Sequence, residues 1–144
     1  MRVYFIILFL LFGFVSNAQK QEVQKSIEVF FEGFHQKDSV KIKTVCADKM
    51  ILQSISESVS KGNKLSGETA KEFYKSITSI PSSMKFQEKI LSYTIQIDGA
   101  MAHVWAPYEF YVNDKLSHSG VNTFTLFKEK DVWKIIYLID TRRK

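Results

Sequence analysis

The chain has 144 residues, 45% hydrophobic and 24% charged, and carries a formal net charge of +5. One domain's worth of core is available, and no internal repeat, low-complexity tract or Pro/Gly linker divides it. The positive excess lies partly in the terminal Arg142-Arg143-Lys144 and is otherwise scattered among acids. That describes a solvated surface rather than a nucleic-acid track. Cys46 is the single cysteine, so an internal disulfide is excluded.

In chain order, Arg2 supplies a positive start, Val3 to Val15 is apolar apart from Gly13, and Ser16-Asn17-Ala18 offers small residues for cleavage before Gln19. The apolar run is too short for a bilayer span, which takes about 20 residues, and fits the core of a signal peptide. Residues 1–18 are therefore expected to be a signal peptide, and residues 19–144 a single exported domain, periplasmic or secreted. No cysteine follows the cleavage site, so no lipid anchor and no membrane association after cleavage are expected.

Val23, Ile27, Phe30, Phe31 and Phe34 form one apolar stripe at helical spacing, with Gln24, Lys25, Glu28 and Glu32 on the wet side. Asp38 suits the N-cap of a short second helix through Val45 and Cys46. Met50 to Ile55 reads as a strand, and Lys61-Gly62-Asn63 as a turn. Ser66 is expected to open a third helix, with Glu68 in its first turn and Ala70, Phe73, Tyr74 and Ile77 as its buried side. Beyond residue 85 the spacing predicts four strands, roughly 86–97, 100–112, 115–127 and 132–142. They are separated by tight turns at Asp98-Gly99 and Asn113-Asp114 and a polar turn within Lys128–Asp131. Helices followed by a meander indicate an α+β domain.

The order of motifs resembles the nuclear transport factor 2-like superfamily. An amphipathic first helix ends in "EGFHQKD", a short helix leads into "CADKMILQSI", Gly67-Glu68 precedes "KEFYKSI", and the last strand carries "VWKIIYLID". The resemblance spans nearly the whole of residues 19–144. It implies a cone, with a curved antiparallel sheet carrying three N-terminal helices on its concave face. Ketosteroid isomerases, SnoaL-type polyketide cyclases and many exported bacterial proteins, including a lumazine-binding-like group, share that fold. Laid beside the isomerase pattern, Phe30 stands where its tyrosine belongs, and Ser54 about where its catalytic aspartate belongs. Neither can do that chemistry.

Tight turns also predict register. Ile97 should face Ala100 and Val112 should face Lys115, which sets Glu109 opposite His118 and Trp105 opposite Asn122. On this reading Trp105, Glu109, His118, Asn122 and Tyr137 share the concave face, with Phe30 and Phe34 as a helical lid. An aromatic wall with a few convergent polar groups can hold a small apolar or aromatic ligand. Glu109 and His118 are the candidate acid–base pair, or else a cross-strand ion pair near the mouth. The opposite face, with Tyr93, Ile95, Val104, Tyr108 and Ile136, is a candidate homodimer surface. No metal site is expected, because His103 and His118 would lie about 20 Å apart along neighbouring strands. No cofactor motif occurs. Three readings stay open: a non-catalytic exported binding protein, a lyase, isomerase or cyclase using Glu109 and His118, and a dimeric structural or interaction module.

Overall fold

A computed structural model of the chain describes residues 2–144, with side chains described from Asn17 onward. The expected signal peptide, residues 1–18, lies largely outside the residues whose side chains are described. Helix α1 (Arg2–Gln36) is followed by α2 (Ser39–Lys43), strands β1 (Cys46–Ser56) and β2 (Lys64–Thr69), and helix α3 (Ala70–Thr78). Strands β3 (Phe86–Ile90), β4 (Thr94–Asp98), β5 (Met101–Val112), β6 (Lys115–Glu129) and β7 (Val132–Arg142) complete the chain.

The α1 stripe is the centre of the core. Val23 and Ile27 have no exposed surface, and Phe30 retains 2%. Asp38 caps α2, its Oδ1 accepting from the Val40 and Lys41 amides at 2.9 and 3.1 Å. The third helix starts later than the sequence suggests. Thr69 and Glu72 form a reciprocal capping box, each side chain accepting the other's backbone N–H, which satisfies two otherwise orphaned donors. Ser66 and Glu68 instead belong to β2, antiparallel to β1 with Ser54 opposite Ser66 and Leu52 opposite Glu68. Cys46 is buried as expected, but it opens β1 rather than lying on a helix.

The sheet is open, in the order β2-β1-β7-β6-β5-β3, with β4 also paired to β5. It is mixed rather than wholly antiparallel, because β1 runs parallel to β7. The expected strand 86–97 is two strands, β3 and β4, both antiparallel to β5. The first hairpin turn is Gly99-Ala100, with Asp98 opposite Met101. Gly99 alone carries a positive φ, +57°, the II′ pattern that glycine at the first loop position favours. At Asn113-Asp114 and Lys130-Asp131 both residues have positive φ, the I′ pattern.

Two bulges decide which side chains face inward. Phe110 pairs with His118 but Tyr111 pairs with Leu116, so Ser117 is an extra residue in β6. Thr125 pairs with Tyr137 but Leu126 pairs with Ile135, so Ile136 is an extra residue in β7. Each insertion flips the alternation relative to the neighbouring strand. In β6 Asn122 faces inward as expected, with Phe124 and Leu126 buried on the same side. In β5 the set is reversed. Ala102, Val104, Ala106 and Tyr108 are buried, and Trp105 is 50% exposed on the outer face. The expected dimer surface is consequently not an outer face. Val104 and Tyr108 lie in the interior, and Tyr93 and Ile95 pack against the core from β4's approach.

Gly120 shows how tightly β6 and β7 approach. A Cβ there would collide with the Thr141 carbonyl and stand 3.0 Å from the Tyr108 ring. Gly120→Ala is expected to destabilise the protein by about 1–3 kcal/mol through forced overpacking. Ser119→Ala, one residue away, should cost no more than about 0.5 kcal/mol. Equilibrium urea melts of both variants check this.

Candidate functional site

A cavity of about 370 Å³ opens between α1, α3 and the concave side of the sheet. One wall is built of phenylalanines. Phe30 stacks on Phe73 at 5.8 Å and 3°, and Phe34 lies over Phe73 at 6.5 Å and 9°. Phe34 also approaches Phe110 of β5 at 6.5 Å. Leu52 and Leu138 extend the apolar lining from the sheet. The helical periodicity of α1 places Phe30 and Phe34 one turn apart on the same face, so both line the cavity as expected from the sequence.

The other wall is polar and comes from the sheet. Asn122 of β6, 4% exposed, donates from Nδ2 to Glu88 Oε1 of β3 at 2.6 Å. Tyr108 of β5 extends its hydroxyl between Asp140 Oδ2, 3.1 Å away, and the Thr141 carbonyl, 2.9 Å away. Arg142 Nε donates to the same Asp140 oxygen at 2.7 Å. Ser54 of β1 lies opposite Asp140 and also lines the cavity. His118 rests on Phe110, ring centroids 4.8 Å apart, and meets Tyr108 edge-on at 5.8 Å. Glu68 and Arg142, both exposed, mark the mouth.

Burial and charge shift these groups in definite directions. Burial pushes the Glu88 carboxyl up to about 7; Asn122's hydrogen bond and Arg142 oppose this, and the neighbouring Asp140 charge adds to it. Burial, reinforced by Asp140 and Glu88, raises the Tyr108 phenol well above its ordinary value. His118 is held below the ordinary histidine value by burial and by the Arg142 charge. His35 is likewise lowered by burial, and its Nε2 accepts the Glu88 backbone N–H at 3.0 Å. An accepting Nε2 carries no proton, so this ring positions β3 as a neutral imidazole.

The structure brings four of the seven expected ligand contacts into the cavity: Phe30, Phe34, His118 and Asn122. The other three lie outside it. Trp105 faces Thr123 on the outer side of the sheet. Glu109 accepts from the Tyr111 hydroxyl at 2.7 Å and lies opposite Ser119, so the expected Glu109–His118 pair is not formed. Tyr137, displaced by the Ile136 bulge, is half-buried on the outer side and donates to Gln53 Oε1. Glu88, Tyr108, Asp140 and Arg142 were not among the expected site residues. Asp140 and Arg142 pair at the cavity, with Arg142 reaching its mouth. The usable signal was the Tyr108 and Phe110 alternation in β5, which marks that face as interior once Trp105 is allowed to point outward.

No family model and no curated protein sequence matches the chain. Solved structures do. One is a nuclear transport factor 2-like protein of unknown function from Shewanella baltica, at 16% identity and TM-score 0.63, covering 88% of this chain and 95% of that one. A second is a putative dehydratase of that family from Streptomyces avermitilis, at 13% and 0.68, covering 90% and 99%. A third is the beta subunit of a putative aromatic-ring-hydroxylating dioxygenase from Novosphingobium aromaticivorans, at 9% and 0.72, covering 90% and 92%. The chain has a nuclear transport factor 2-like fold. At such identities the likeness extends to architecture only, and the nuclear transport factor 2-like cone hosts unrelated activities.

The Glu88 environment makes stability depend on pH with a definite sign. A carboxyl raised from 4.5 to about 7 on folding holds its proton in the folded state where the unfolded chain has lost it. Its contribution is complete below 4.5 and is lost as pH rises through about 7. His35 and His118, lowered on folding, slope the other way. Subtracting the Glu88→Gln variant from the wild type isolates the carboxyl. That difference in unfolding free energy, from urea melts in steps of pH, should decline across this window and level off above it.

Proposed function

We propose that the chain is an exported small-molecule-binding protein whose ligand enters the cone, lays an apolar or ring-bearing body on the phenylalanine wall and meets Glu88, Asn122 and His118 with its polar end. The observation that carries this reading is the cavity itself, which joins a stacked aromatic wall to a convergent polar cluster in one space of about 370 Å³. That volume suits a small organic molecule. Export rests on Arg2, the apolar run to Val15 and the small residues at Ser16-Asn17-Ala18. Thermal melts of the purified protein against pterins, flavins, steroids and fatty acids test the reading. A saturable stabilisation is expected for at least one class and should weaken about tenfold in His118→Ala, the loss of one good hydrogen bond or stack. A flat response to every class would end it.

A second reading, acid–base catalysis, is favoured by one specific observation. Glu88 has a carboxyl raised to about 7 inside the cavity, where a group can both take and return a proton near neutral pH. The catalytic pair expected from sequence changes accordingly. His118 stays, and Glu88 takes the place of Glu109, which is outside the cone. The putative dehydratase among the similar structures shares the fold needed for such a role. For any substrate turned over, Glu88→Gln should lower kcat by about 10²–10⁴-fold with little change in ligand affinity, whereas Glu109→Gln should leave both unchanged. Full turnover by Glu88→Gln would remove this reading.

A further inference from the structure

The ligand-binding reading leaves the chemistry of the ligand open, and the charge inventory of the cavity narrows it. Three carboxylates, Glu68, Glu88 and Asp140, line the space, against one guanidinium, Arg142. Arg142 already shares its charge with Asp140, because its Nε donates to one oxygen at 2.7 Å and Nη2 lies 3.5 Å from the other. Burial and the Arg142 charge disfavour the protonated form of His118, with Asp140 opposing them. Glu88 is the uncompensated member. Asn122 donates to Oε1, and among the described residues no donor meets Oε2. The groups acting on it are the neutral Asn122, the Asp140 charge, the Arg142 charge and the raised Tyr108 phenol. A buried carboxylate without a cation must be either protonated or paired.

From this geometry we infer that the cone selects an organic amine, whose protonated nitrogen sits on the free side of Glu88 while its apolar body lies along Phe30, Phe34, Phe73 and Phe110. Both walls favour that occupant. Aromatic faces attract a desolvated cation through their quadrupoles, and an N⁺–H donor supplies a charge-assisted hydrogen bond to Oε2, which no protein donor meets among the described residues. An anionic ligand would meet the Asp140 charge and oppose ionisation of Glu88, and the one guanidinium lining the cavity already shares its charge with Asp140. A neutral alcohol could accept or donate one hydrogen bond but would leave Glu88 to keep its proton, with no charge pairing gained. Binding an ammonium also draws Glu88 into its ionised form, so protons leave the protein as the amine enters.

The inference rests on the ligand-binding reading, and the experiment separates the two. Isothermal titration of the full chain at pH 6.5 would compare 2-phenylethylamine with 2-phenylethanol and 3-phenylpropionate, which share the ring and the reach but differ in charge. The amine should bind at least about tenfold more tightly than the alcohol, and the propionate more weakly still. Repeating the amine titration in two buffers of different ionisation enthalpy should show proton release, which disappears in Glu88→Gln along with the preference for amine over alcohol. Because Gln can still accept from Asn122, this variant is expected to fold, and circular dichroism confirms that. Equal binding of amine and alcohol, tighter binding of the propionate, or amine binding unchanged in Glu88→Gln would overturn the inference while leaving a ligand-binding cone intact. Absence of amine binding, with a flavin, pterin, steroid or fatty acid bound, would also overturn it. If nothing in either series binds, the ligand-binding reading falls with it.

Discussion

Two inserted residues, Ser117 in β6 and Ile136 in β7, set the chemistry of the cone. Without the first, His118 would stand opposite Glu109 and the inward face of β5 would present Trp105 instead of Tyr108. Without the second, the inward positions near the end of β7 would be Tyr137 and Ile139 rather than Leu138 and Asp140. A β-bulge costs one unpaired residue and a local break in the ladder. Here the return is a polar cluster assembled from β3, β5, β6 and β7 beneath an otherwise apolar helix. Gly120 lies between the two bulged segments, and the close passage of Thr141 over it lets the Tyr108 hydroxyl reach that carbonyl.

The cluster holds its members by different means. Asp140, 9% exposed, is tied to Arg142 and accepts from Tyr108. Asn122 is nearly inaccessible and spends its amide on Glu88. His35 fixes the β3 backbone from the helix side, so the strand that carries Glu88 is positioned from both ends of its hydrogen-bonding reach. The phenylalanines do separate work. Their stacking joins α1, α3 and β5 into one surface, which keeps the cavity walls in place without filling the space between them.

Much of this was legible in the sequence, for physical reasons that also explain the failures. The α1 stripe was readable because a single buried face imposes a 3.6-residue period. The Asn113-Asp114 turn was readable because left-handed backbone at two successive positions selects such residues. Those two features were enough to place Phe30, Phe34, His118 and Asn122, while the fold was legible in the resemblance carried by the order of motifs along the chain. Register failed where the sheet is apolar on both sides. Alternation cannot reveal an extra residue when Ile135 and Ile136 are equally suited to either face, and Leu116-Ser117-His118-Ser119 offers no apolar beat against which to count. The start of α3 failed for a different reason. Ser66 and Thr69 are both plausible caps taken singly, and only the reciprocal contact with Glu72 separates them. Trp105 misled through size: a large aromatic was assigned to the interior, yet half of it meets solvent.

The binding and catalytic readings converge on one carboxyl because burying a charge admits few solutions. The cone contains three carboxylates and treats each differently. Glu68 stays at the mouth, exposed to water. Asp140 is paired with a guanidinium held two residues away on the same strand. Glu88 is only partly exposed and has no cation of its own, which favours its protonated form or a partner from outside. A group in that position responds to whatever enters. On the binding reading a cationic ligand takes the place of the proton; on the catalytic reading a substrate with a labile hydrogen exchanges protons with it. Which outcome prevails is decided by the occupant's own acidity, because the surrounding walls are common to both.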